Sequence, residues 1–552
     1  MSSSRARAVF FLLCLLVFGV IWFWGIGHRP LFTTDEGRYA EIPREMLVTG
    51  NWVTPRLNGL RYFEKPPLQY WMTAAAFAVF GVHDWAARIA TTTAGFLTVL
   101  FAGFTAFKLY GRRAGWLTTA VLAGSFYFGF LGHFNTLDAV LCLMMSMNLF
   151  GFLLAQRAPP GSRAELGWML VSWAGAALAV LDKGLIGIIL PGVVFVLYLF
   201  IKRDWGLVRR LRLLSGLTLF FAMTLPWFIA VSIANHDFLW QFFMVQQFLR
   251  FLTPAQHRPG PWWYFIPFLV LAVVPWLVAA ARALWRPLRR LGRRGAFDAG
   301  VLLWLWIVFI FLFFSASHSK LPSYILPIIP AFALLIGRAL SRKRALPWVA
   351  AAISLVLGAA VLVLGILAAR VASHADPAML AAFRPWVVAA GIVILATTVA
   401  AIFARGRLLV AVTGIAVAWL IANRLVMLGG AAFGPEYSTR AMAAAVARYN
   451  RPGVPIFSVD GYQQTLPFYL RRKMILVGYR GEMDFGIRNA RGSLENRYLP
   501  SLADFAARWR AEPDALAFVP RKKVNEMQAL GISCRVVAGN ARWVALVHGG
   551  EG

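Results

Sequence analysis

Long apolar runs constrain the fold of this chain more than any other feature. Of its 552 residues, 60% are hydrophobic and 14% are charged, whereas a soluble domain averages about 45–50% apolar and about 25% charged residues. The 44 Phe and 22 Trp exclude a disordered chain, and three cysteines are too few for a disulfide scaffold. The composition therefore predicts an α-helical polytopic membrane protein.

Thirteen of the apolar runs are predicted to cross the membrane, because each approaches the roughly 20 residues that a spanning α-helix needs. The first run follows Arg5 and Arg7 and has no small-residue cleavage site after it, so we interpret it as a helix and not as a signal peptide. The predicted spans lie near 8–27, 85–110, 114–132, 137–156, 167–182, 184–201, 213–234, 262–284, 299–315, 322–340, 346–369, 386–404 and 408–428.

A further apolar stretch, 67–81, decides the topology. Its 15 residues are typical of an interfacial or re-entrant helix. If it does not span, the loops rich in Lys and Arg all fall on the side of Arg5 and Arg7, in agreement with the positive-inside bias. We therefore predict a cytoplasmic N-terminus. The net charge of +32 then mostly reflects topology, and no nucleic-acid partner is expected.

The composition changes after residue 428. Residues 429–552 alternate short β-like runs with helical stretches near 437–449 and 501–511, which predicts a small α/β domain outside the cytoplasm. Residues 1–428 are predicted to form the transmembrane domain, including a juxtamembrane loop at 28–84. The β-like runs are Val454–Val459, Lys473–Val477, Ala515–Val519, Cys534–Val537 and Trp543–Val547.

The outward-facing loops hold the candidate functional residues. The loop 28–84 is long for a helix connection, and long loops in compact proteins are often functional. Within it, 36–48 is predicted to form a short amphipathic helix on the membrane, with Thr34 as its N-cap. The candidates in this loop are Asp35, Glu36, Arg38, Tyr39, Tyr62, Glu64 and Lys65.

Two further candidates, Asp138 and Lys183, lie at outward ends of predicted spans. A carboxylate at the edge of an apolar helix usually marks function, although Asp138 has the alternative of capping the helix that begins near 137. Two alternative interpretations of Lys183 are that it pairs with Asp182 or that its ammonium group extends to the lipid headgroups. The remaining outward candidates are His236, Arg250, His257, Arg258, His318, Lys320, Ser323 and Tyr324.

The outward cations predict a ligand. Phosphate groups bind to Lys and Arg, so these residues together indicate a site for a lipid phosphate. They are Lys65, Lys183, Arg250, Arg258 and Lys320. The sequence contains no HExxH motif, no cysteine pair with metal-ligand spacing and no nucleotide-binding glycine loop, so no cofactor is expected to be required. A structural divalent metal held by Glu64 with His257 or His318 stays open as an alternative to histidines that face solvent.

These residues form an ordered set of motifs. Asp35-Glu36, the segment Tyr62–Leu68 and Asp138 resemble the membrane glycosyltransferases of the C superfamily (GT-C), which use polyprenyl-phosphate sugars and include the protein O-mannosyltransferases. Leu181–Gly184, His318–Tyr324 and Tyr479–Gly486 narrow this resemblance to the ArnT family, the bacterial aminoarabinose transferases of lipid A. The resemblance extends over essentially the whole chain.

The resemblance implies thirteen spans, two juxtamembrane helices and a periplasmic α/β tail in a Gram-negative inner membrane. It implies transfer of 4-amino-4-deoxy-L-arabinose from undecaprenyl phosphate, the sugar carrier, to a lipid A phosphate, which confers polymyxin resistance. Asp35, Asp138 and Glu64 would be catalytic. Lys65, Arg250, Lys183, Arg38 and Tyr324 would bind the carrier phosphate, and the pocket would include Tyr39, Tyr62, Glu36, His318 and Lys320. We expect a monomer in contact with membrane lipids.

Other functions stay open at this point. An enzyme of the same fold that transfers mannose from a polyprenyl phosphate to protein hydroxyl groups is the nearest alternative. A transporter of lipid-linked sugars is a second, but the polar residues gather on one outer face and not at paired midplane sites. A structural anchor for the tail domain is a third, and it would leave the outward acids and cations unexplained.

Overall fold

The computed structural model describes residues 3–249, 259–293, 297–342, 346–371, 376–403, 407–490, 494–532 and 534–548. The candidates Arg250, His257 and Arg258 lie outside these residues. The chain divides into two compact units. Unit 1 comprises Met1–Ile26 and Arg88–Gly429, and unit 2 comprises Gly27–Ala87 and Gly430–Gly552. The functional division at residue 428 stays a prediction. In the division into compact units, the juxtamembrane loop belongs to the same unit as the C-terminal residues.

Helices make up most of the described residues before Gly430. Two short strands, β1 (Arg56–Leu57) and β2 (Leu60–Arg61), interrupt them, as do a π-helix at Trp240–Leu249 and a 3-10 helix at Pro322–Ile328. The α-helices are α1 (Ser3–Phe23), α2 (Asp35–Thr49), α3 (Leu68–Phe80), α4 (Asp84–Tyr110), α5 (Arg112–Ala123), α6 (Phe126–Leu131), α7 (Leu137–Arg157), α8 (Arg163–Lys183), α9 (Ile186–Lys202), α10 (Leu207–Arg210), α11 (Leu213–Ala234), α12 (Ile266–Val273), α13 (Leu277–Leu288), α14 (Ala299–Ala316), α15 (Ile329–Arg342), α16 (Leu346–Val371), α17 (Pro377–Phe403) and α18 (Leu408–Gly429).

The predicted α-helical membrane fold is confirmed. Among the described residues, nine helices are long and apolar enough to cross a membrane, and ten if the bent pair α12 and α13 forms one span. The predicted first span and the span at 184–201 correspond to the shorter apolar helices Val9–Phe23 and Ile186–Lys202. The 13-residue helix α3 occupies the ambiguous stretch 67–81, and at 1.5 Å per residue it is about 20 Å long, short of a bilayer core.

Two predicted spans are interrupted in the structure. The span 114–132 breaks between α5 and α6, where Gly124 lies against the backbone of Ala416 and Ser125 caps α6 by accepting a hydrogen bond from the Phe128 N–H. The span 262–284 bends by 108° between α12 and α13. Pro275 lies at this bend, and a proline has no N–H to continue the helix ladder. Hydrophobicity alone detects neither interruption, because the residues on both sides are equally apolar.

The C-terminal part of unit 2 forms a six-stranded mixed sheet in the order β5-β4-β3-β6-β8-β7. Each of the five predicted β-like runs overlaps a strand, whereas the two-residue strand β5 is too short for the sequence pattern to indicate. The helical stretch 437–449 contains α20 and a 3-10 helix at Ala447–Tyr449. The strands are β3 (Ile456–Val459), β4 (Ile475–Val477), β5 (Tyr498–Leu499), β6 (Ala515–Pro520), β7 (Arg535–Gly539) and β8 (Trp543–His548); the helices are α19 (Gly434–Tyr437), α20 (Arg440–Ala445), α21 (Leu466–Leu470), α22 (Asp484–Arg488), α23 (Leu502–Ala511) and α24 (Val524–Ala529).

A β-hairpin connects the juxtamembrane loop to this sheet through hydrogen bonds. The strands β1 and β2 are joined by Asn58 and Gly59, whose positive φ angles of 55° and 73° are those of the tight Asn-Gly turn typical of hairpins. The Asn58 side chain exchanges two 2.8 Å hydrogen bonds with the backbone of Met474, and the Gly59 N–H donates to the Glu45 carboxylate at 2.9 Å. Helix α2 is thereby held in a fixed position within unit 2.

Buried acids on α2 make this attachment sensitive to protonation. Glu41 is fully buried and accepts two 2.6 Å hydrogen bonds from the Arg44 guanidinium. Burial raises the pKa of Glu41 to about 7 despite the opposing charges of Arg44 and Lys473, and the neighbouring Glu45 raises it further. Burial also raises the pKa of Glu45. The folded state therefore holds protons that the unfolded chain releases at lower pH.

We expect the stability of the protein to fall as the pH rises from about 5 to 7. In this window folded Glu41 binds more protons than unfolded Glu41, whose ordinary pKa is 4.5, so stability decreases with increasing pH. The Glu41 contribution is up to about 3 kcal/mol. The thermal unfolding midpoint of purified Glu41→Gln should therefore depend less on pH than that of the wild type. Asp460→Asn, at an exposed acid, is the control and should keep the wild-type slope; equal slopes for all three proteins would contradict the assignment.

Candidate functional site

Helix α2 places most of the loop candidates in one group, the outer-loop cluster of Asp35, Arg38, Tyr39, Tyr62 and Glu64. Asp35 is the first residue of the helix, and its side chain is 50% exposed. Because helix N-termini carry partial positive charge, a carboxylate is favourable there. Arg38 lies one turn further on, with its Nη1 3.8 Å from the Asp35 Oδ1 and donating to the Tyr62 hydroxyl at 3.2 Å.

The groups of this cluster shift the pKa values of one another. Burial lowers the pKa of Arg38, but the surrounding groups Tyr62, Tyr39, Glu64 and Asp35 outweigh it and raise that pKa well above its ordinary value. Burial, aided by the Asp35 and Glu64 carboxylates, raises the pKa of Tyr39 and Tyr62 well above 10.0. The cluster therefore offers a permanent cation and two protonated phenols beside an accessible carboxylate. Such groups can bind an anion and stabilise a neighbouring positive charge.

The C-terminal part of unit 2 contributes two residues that sequence reasoning did not place in the site. The Arg38 Nη2 is 3.8 Å from the Glu482 Oε1, and the Tyr479 hydroxyl donates to the Glu482 Oε2 at 2.5 Å. Both residues belong to the Tyr479–Gly486 motif, for which the sequence alone predicts no role in the site. Within the described residues, the buried atoms Arg38 Nε and Glu482 Oε1 have no hydrogen-bond partner. Arg38 therefore keeps donor capacity for a ligand.

The other loop candidates are placed differently. Glu36 is buried in an ion pair with Arg29, with oxygen–nitrogen distances of 2.5 and 3.0 Å, and it also accepts from the Phe32 N–H. These contacts give Glu36 a structural partner at the start of α2, and its predicted pocket role stays a prediction. Lys65 follows Glu64 directly and is half-buried.

A second group, the helix-end cluster of Asp138, Lys183 and Tyr324, forms in unit 1. Asp138 lies in the first turn of α7 and Lys183 is the last residue of α8, and the two side chains form an ion pair across these neighbouring helices. The Lys183 Nζ lies 5.1 Å from the centre of the Tyr324 ring, within cation–π distance. The structure thus pairs Lys183 with Asp138, and Asp138 has a partner other than its own helix end.

The segment between α14 and α15 holds further candidates, among them His318 and Lys320. Lys320 is buried and its Nζ donates to the backbone carbonyl of Ser317, so it stabilises its own turn. His318 is exposed. Among the described residues no group of three or more His, Cys, Asp or Glu side chains is arranged to hold a metal ion, and the zinc alternative with His257 involves a residue outside them.

Family models match two parts of the chain. Residues 442–548 match the aminoarabinose transferase C-terminal domain, and residues 64–230 match the dolichyl-phosphate-mannose-protein mannosyltransferase family. The curated undecaprenyl phosphate-alpha-4-amino-4-deoxy-L-arabinose arabinosyl transferases of Pseudomonas aeruginosa UCBPP-PA14 and Shewanella sediminis are 36% and 32% identical over 340 and 335 residues. These alignments cover 60% and 58% of this chain and 59% and 58% of the relatives, so the match spans less than two thirds of the relatives' length.

Solved structures match over nearly the full length. The crystal structures of ArnT from Cupriavidus metallidurans, in the apo state and bound to undecaprenyl phosphate, superpose with TM-scores of 0.89 and 0.90. Sequence identity to both is 34%, and the matches cover 99% of this chain and 98% of those chains. The Archaeoglobus fulgidus oligosaccharyltransferase AglB, at 13% identity and a TM-score of 0.52, shares the fold alone.

The Asp138–Lys183 ion pair should contribute measurably to stability. Its side chains are only 12% and 15% exposed, so removing one partner leaves a poorly hydrated charge. We expect Asp138→Asn and Lys183→Met each to lower the free energy of unfolding by about 2–4 kcal/mol. The double variant should lose less free energy of unfolding than the sum of the losses of the two single variants. The difference, which is the coupling free energy, should be about 1–3 kcal/mol.

The control is the exposed pair Asp484 and Arg488, for which the same cycle should give a coupling below about 0.5 kcal/mol. Unfolding of the purified proteins in one detergent provides all the values. Additive losses at Asp138 and Lys183 would show that the two side chains do not interact in the folded protein.

Proposed function

Because this chain belongs to the ArnT family of polyprenyl-phosphate-dependent membrane glycosyltransferases, we propose that it transfers 4-amino-4-deoxy-L-arabinose from undecaprenyl phosphate to a phosphate of lipid A. The observation that carries the proposal is the match over 99% of the chain to a relative crystallised with undecaprenyl phosphate. The match of residues 442–548 to the aminoarabinose transferase C-terminal domain favours this sugar over mannose. The products would be modified lipid A, with reduced negative charge, and free undecaprenyl phosphate.

The reaction we propose is a single displacement at the anomeric carbon of the sugar. A lipid A phosphate oxygen forms the new bond to this carbon while the bond to the undecaprenyl phosphate oxygen breaks. The leaving group departs as an anion, and the acceptor phosphate is ionised at neutral pH, so neither needs proton transfer. Cations that interact more strongly with the leaving phosphate as its charge grows lower the barrier.

The two clusters supply the groups that this displacement needs. Lys183 with Tyr324, Lys65 and Arg250 hold the carrier phosphate, and Arg38 with the protonated Tyr62 adds hydrogen-bond donors. Asp35 and Asp138 stabilise the positive charge that develops on the sugar ring or is carried by its amine, and they orient the acceptor. Glu64 supports Arg38. With a hydroxyl acceptor, Asp35 would instead act as a general base.

The proposed location follows from the charge distribution. The Lys- and Arg-rich loops face the cytoplasm, and the candidate site and the C-terminal residues face the periplasm of a Gram-negative bacterium. The carrier is a substrate, and no further cofactor is proposed. The expected partners are the lipid-linked donor, lipid A and membrane lipids, and the expected state is a monomer.

We expect Asp35→Asn to abolish most turnover without unfolding the protein. Loss of one charge-stabilising group in an active site typically lowers kcat by about 10²–10³, and the KM for the donor should change little because Asp35 does not bind phosphate. The assay reconstitutes purified protein with undecaprenyl-phosphate aminoarabinose and lipid A and detects pentosamine addition by mass spectrometry. Asp460→Asn provides the control at an exposed carboxylate.

The same assay separates the alternatives. Transfer of mannose from a polyprenyl phosphate to a peptide hydroxyl, without pentosamine transfer, would replace the proposed function by protein glycosylation. Movement of the donor across the vesicle membrane without any transfer would indicate a transporter. Wild-type turnover by Asp35→Asn would remove Asp35 from the catalytic set.

A further inference from the structure

An arginine-lined cavity lies at one end of the helices of unit 1. It has a volume of about 270 Å³ and lies between the C-terminal ends of α13 and α15, which pack against each other. Its arginines come from both helices and from the turn after α13, at spacings of three or four residues that place side chains on one helix face. They are Arg286, Arg289, Arg290, Arg338 and Arg342, which we call the arginine cavity.

Within the described part of the chain, the positive charges of this cavity exceed the negative charges that pair with them. Among the residues that the structure describes, one carboxylate forms an ion pair with the five arginines: Asp298, 2.6 Å from Arg290. Arg338 lies over the Tyr110 ring at 4.3 Å and Arg289 over the Trp285 ring at 5.3 Å, contacts that leave their charge unneutralised. Five guanidinium groups and one carboxylate give a net charge of +4. Such crowding is unfavourable until an anion enters.

The position of the cavity separates it from the proposed reaction. Helix α14 begins beside Asp298, at the arginine end, and its other end leads through His318 to Tyr324 of the helix-end cluster. Its 18 residues correspond to about 27 Å, close to the thickness of a bilayer core. The arginine cavity therefore lies about one bilayer core away from Tyr324 and Lys183, at the opposite ends of the membrane helices.

We propose that the arginine cavity binds the headgroup of an anionic phospholipid of the leaflet opposite to the sugar donor. Arginine binds phosphate oxygens through two parallel hydrogen bonds, and basic pockets between membrane helices at this depth are suited to lipid phosphates. A net charge of +4 favours a lipid with two phosphodiesters over a lipid with one. The ligand class is thus a diphosphatidyl glycerophospholipid, with single-phosphate anionic lipids binding more weakly.

The surroundings of the cavity favour a lipid over a free anion. Trp285 and Leu288 on α13 are 55% and 41% exposed and lie next to Arg286 and Arg289 in the chain. An amphipathic tryptophan among arginines at the end of an apolar helix is typical of the headgroup region. These side chains offer apolar surface to acyl chains, which a free phosphate would not use.

The test titrates the delipidated full-length protein with defined lipids and counts bound molecules by native mass spectrometry. The probes are diphosphatidylglycerol, phosphatidylglycerol and zwitterionic phosphatidylethanolamine, with inorganic pyrophosphate as a soluble competitor. We expect diphosphatidylglycerol to bind most tightly, phosphatidylethanolamine to bind most weakly, and millimolar pyrophosphate not to displace the lipid.

Variants assign the binding to the cavity. Arg286→Gln with Arg342→Gln removes the two cavity arginines that have neither a carboxylate nor an aromatic-ring partner among the described residues. It should weaken diphosphatidylglycerol binding at least about tenfold. Arg286→Lys with Arg342→Lys keeps the charge but lacks the planar guanidinium group. Its affinity for diphosphatidylglycerol should lie between that of the wild type and that of the glutamine variant. Arg209→Gln with Arg282→Gln removes two exposed arginines outside the cavity. Its affinity for diphosphatidylglycerol should stay within about twofold of the wild-type affinity.

Three outcomes would overturn the proposal. Equal binding of anionic and zwitterionic lipids would mean that the arginine charges are not used. Equal losses in the cavity variant and in the exposed-arginine control would indicate general surface charge. Displacement of the lipid by pyrophosphate would reassign the cavity to a soluble anion. None of these outcomes depends on glycosyl transfer, so the proposed function is tested separately.

Discussion

The attachment of helix α2 to the C-terminal sheet is the interaction on which the outer-loop cluster depends. Asn58 bonds to the backbone of Met474, and Glu45 accepts from Gly59 at the adjoining turn. A helix on a free juxtamembrane loop would present Asp35 and Arg38 in many orientations. Held by these contacts, it presents them beside Tyr62 and Glu482. The C-terminal residues of unit 2 are therefore part of the support of the candidate site.

In both clusters, neighbouring groups stabilise the charged form of a cation at the boundary of an apolar environment. Arg38 is stabilised by phenols and carboxylates around it, and Lys183 by Asp138 and the Tyr324 ring. In the proposed reaction, a phosphate oxygen of the substrate takes over part of this stabilisation of each cation. The arginine cavity differs, because its five guanidinium groups form an ion pair with one carboxylate among the residues that the structure describes. This excess of positive charge is the reason for proposing an anionic ligand there and not an internal ion pair.

The sequence predicted the features that depend on composition and periodicity. The long apolar helices and the five longer strands of the sheet follow from hydrophobic length and alternation. The break at Gly124 and Ser125 depends on contacts with Ala416 and Phe128 that local hydrophobicity does not encode. The partnership of Lys183 with Asp138 over the adjacent Asp182 depends on how α7 and α8 pack. Glu482 and Tyr479 were in a recognised motif, but their contact with Arg38 joins residues more than 400 positions apart.

In the proposed displacement, the carboxylates of the two clusters stabilise positive charge and form no bond to the sugar. Stereochemistry tests this claim directly. A donor of known anomeric configuration, labelled with ¹³C at the anomeric carbon, would be converted by the purified protein, and the one-bond carbon–hydrogen coupling of the product would report its configuration. A single displacement inverts the anomeric configuration, so we expect inversion. Retention would contradict it, because two successive displacements require a covalent intermediate on a side chain such as Asp35 or Asp138.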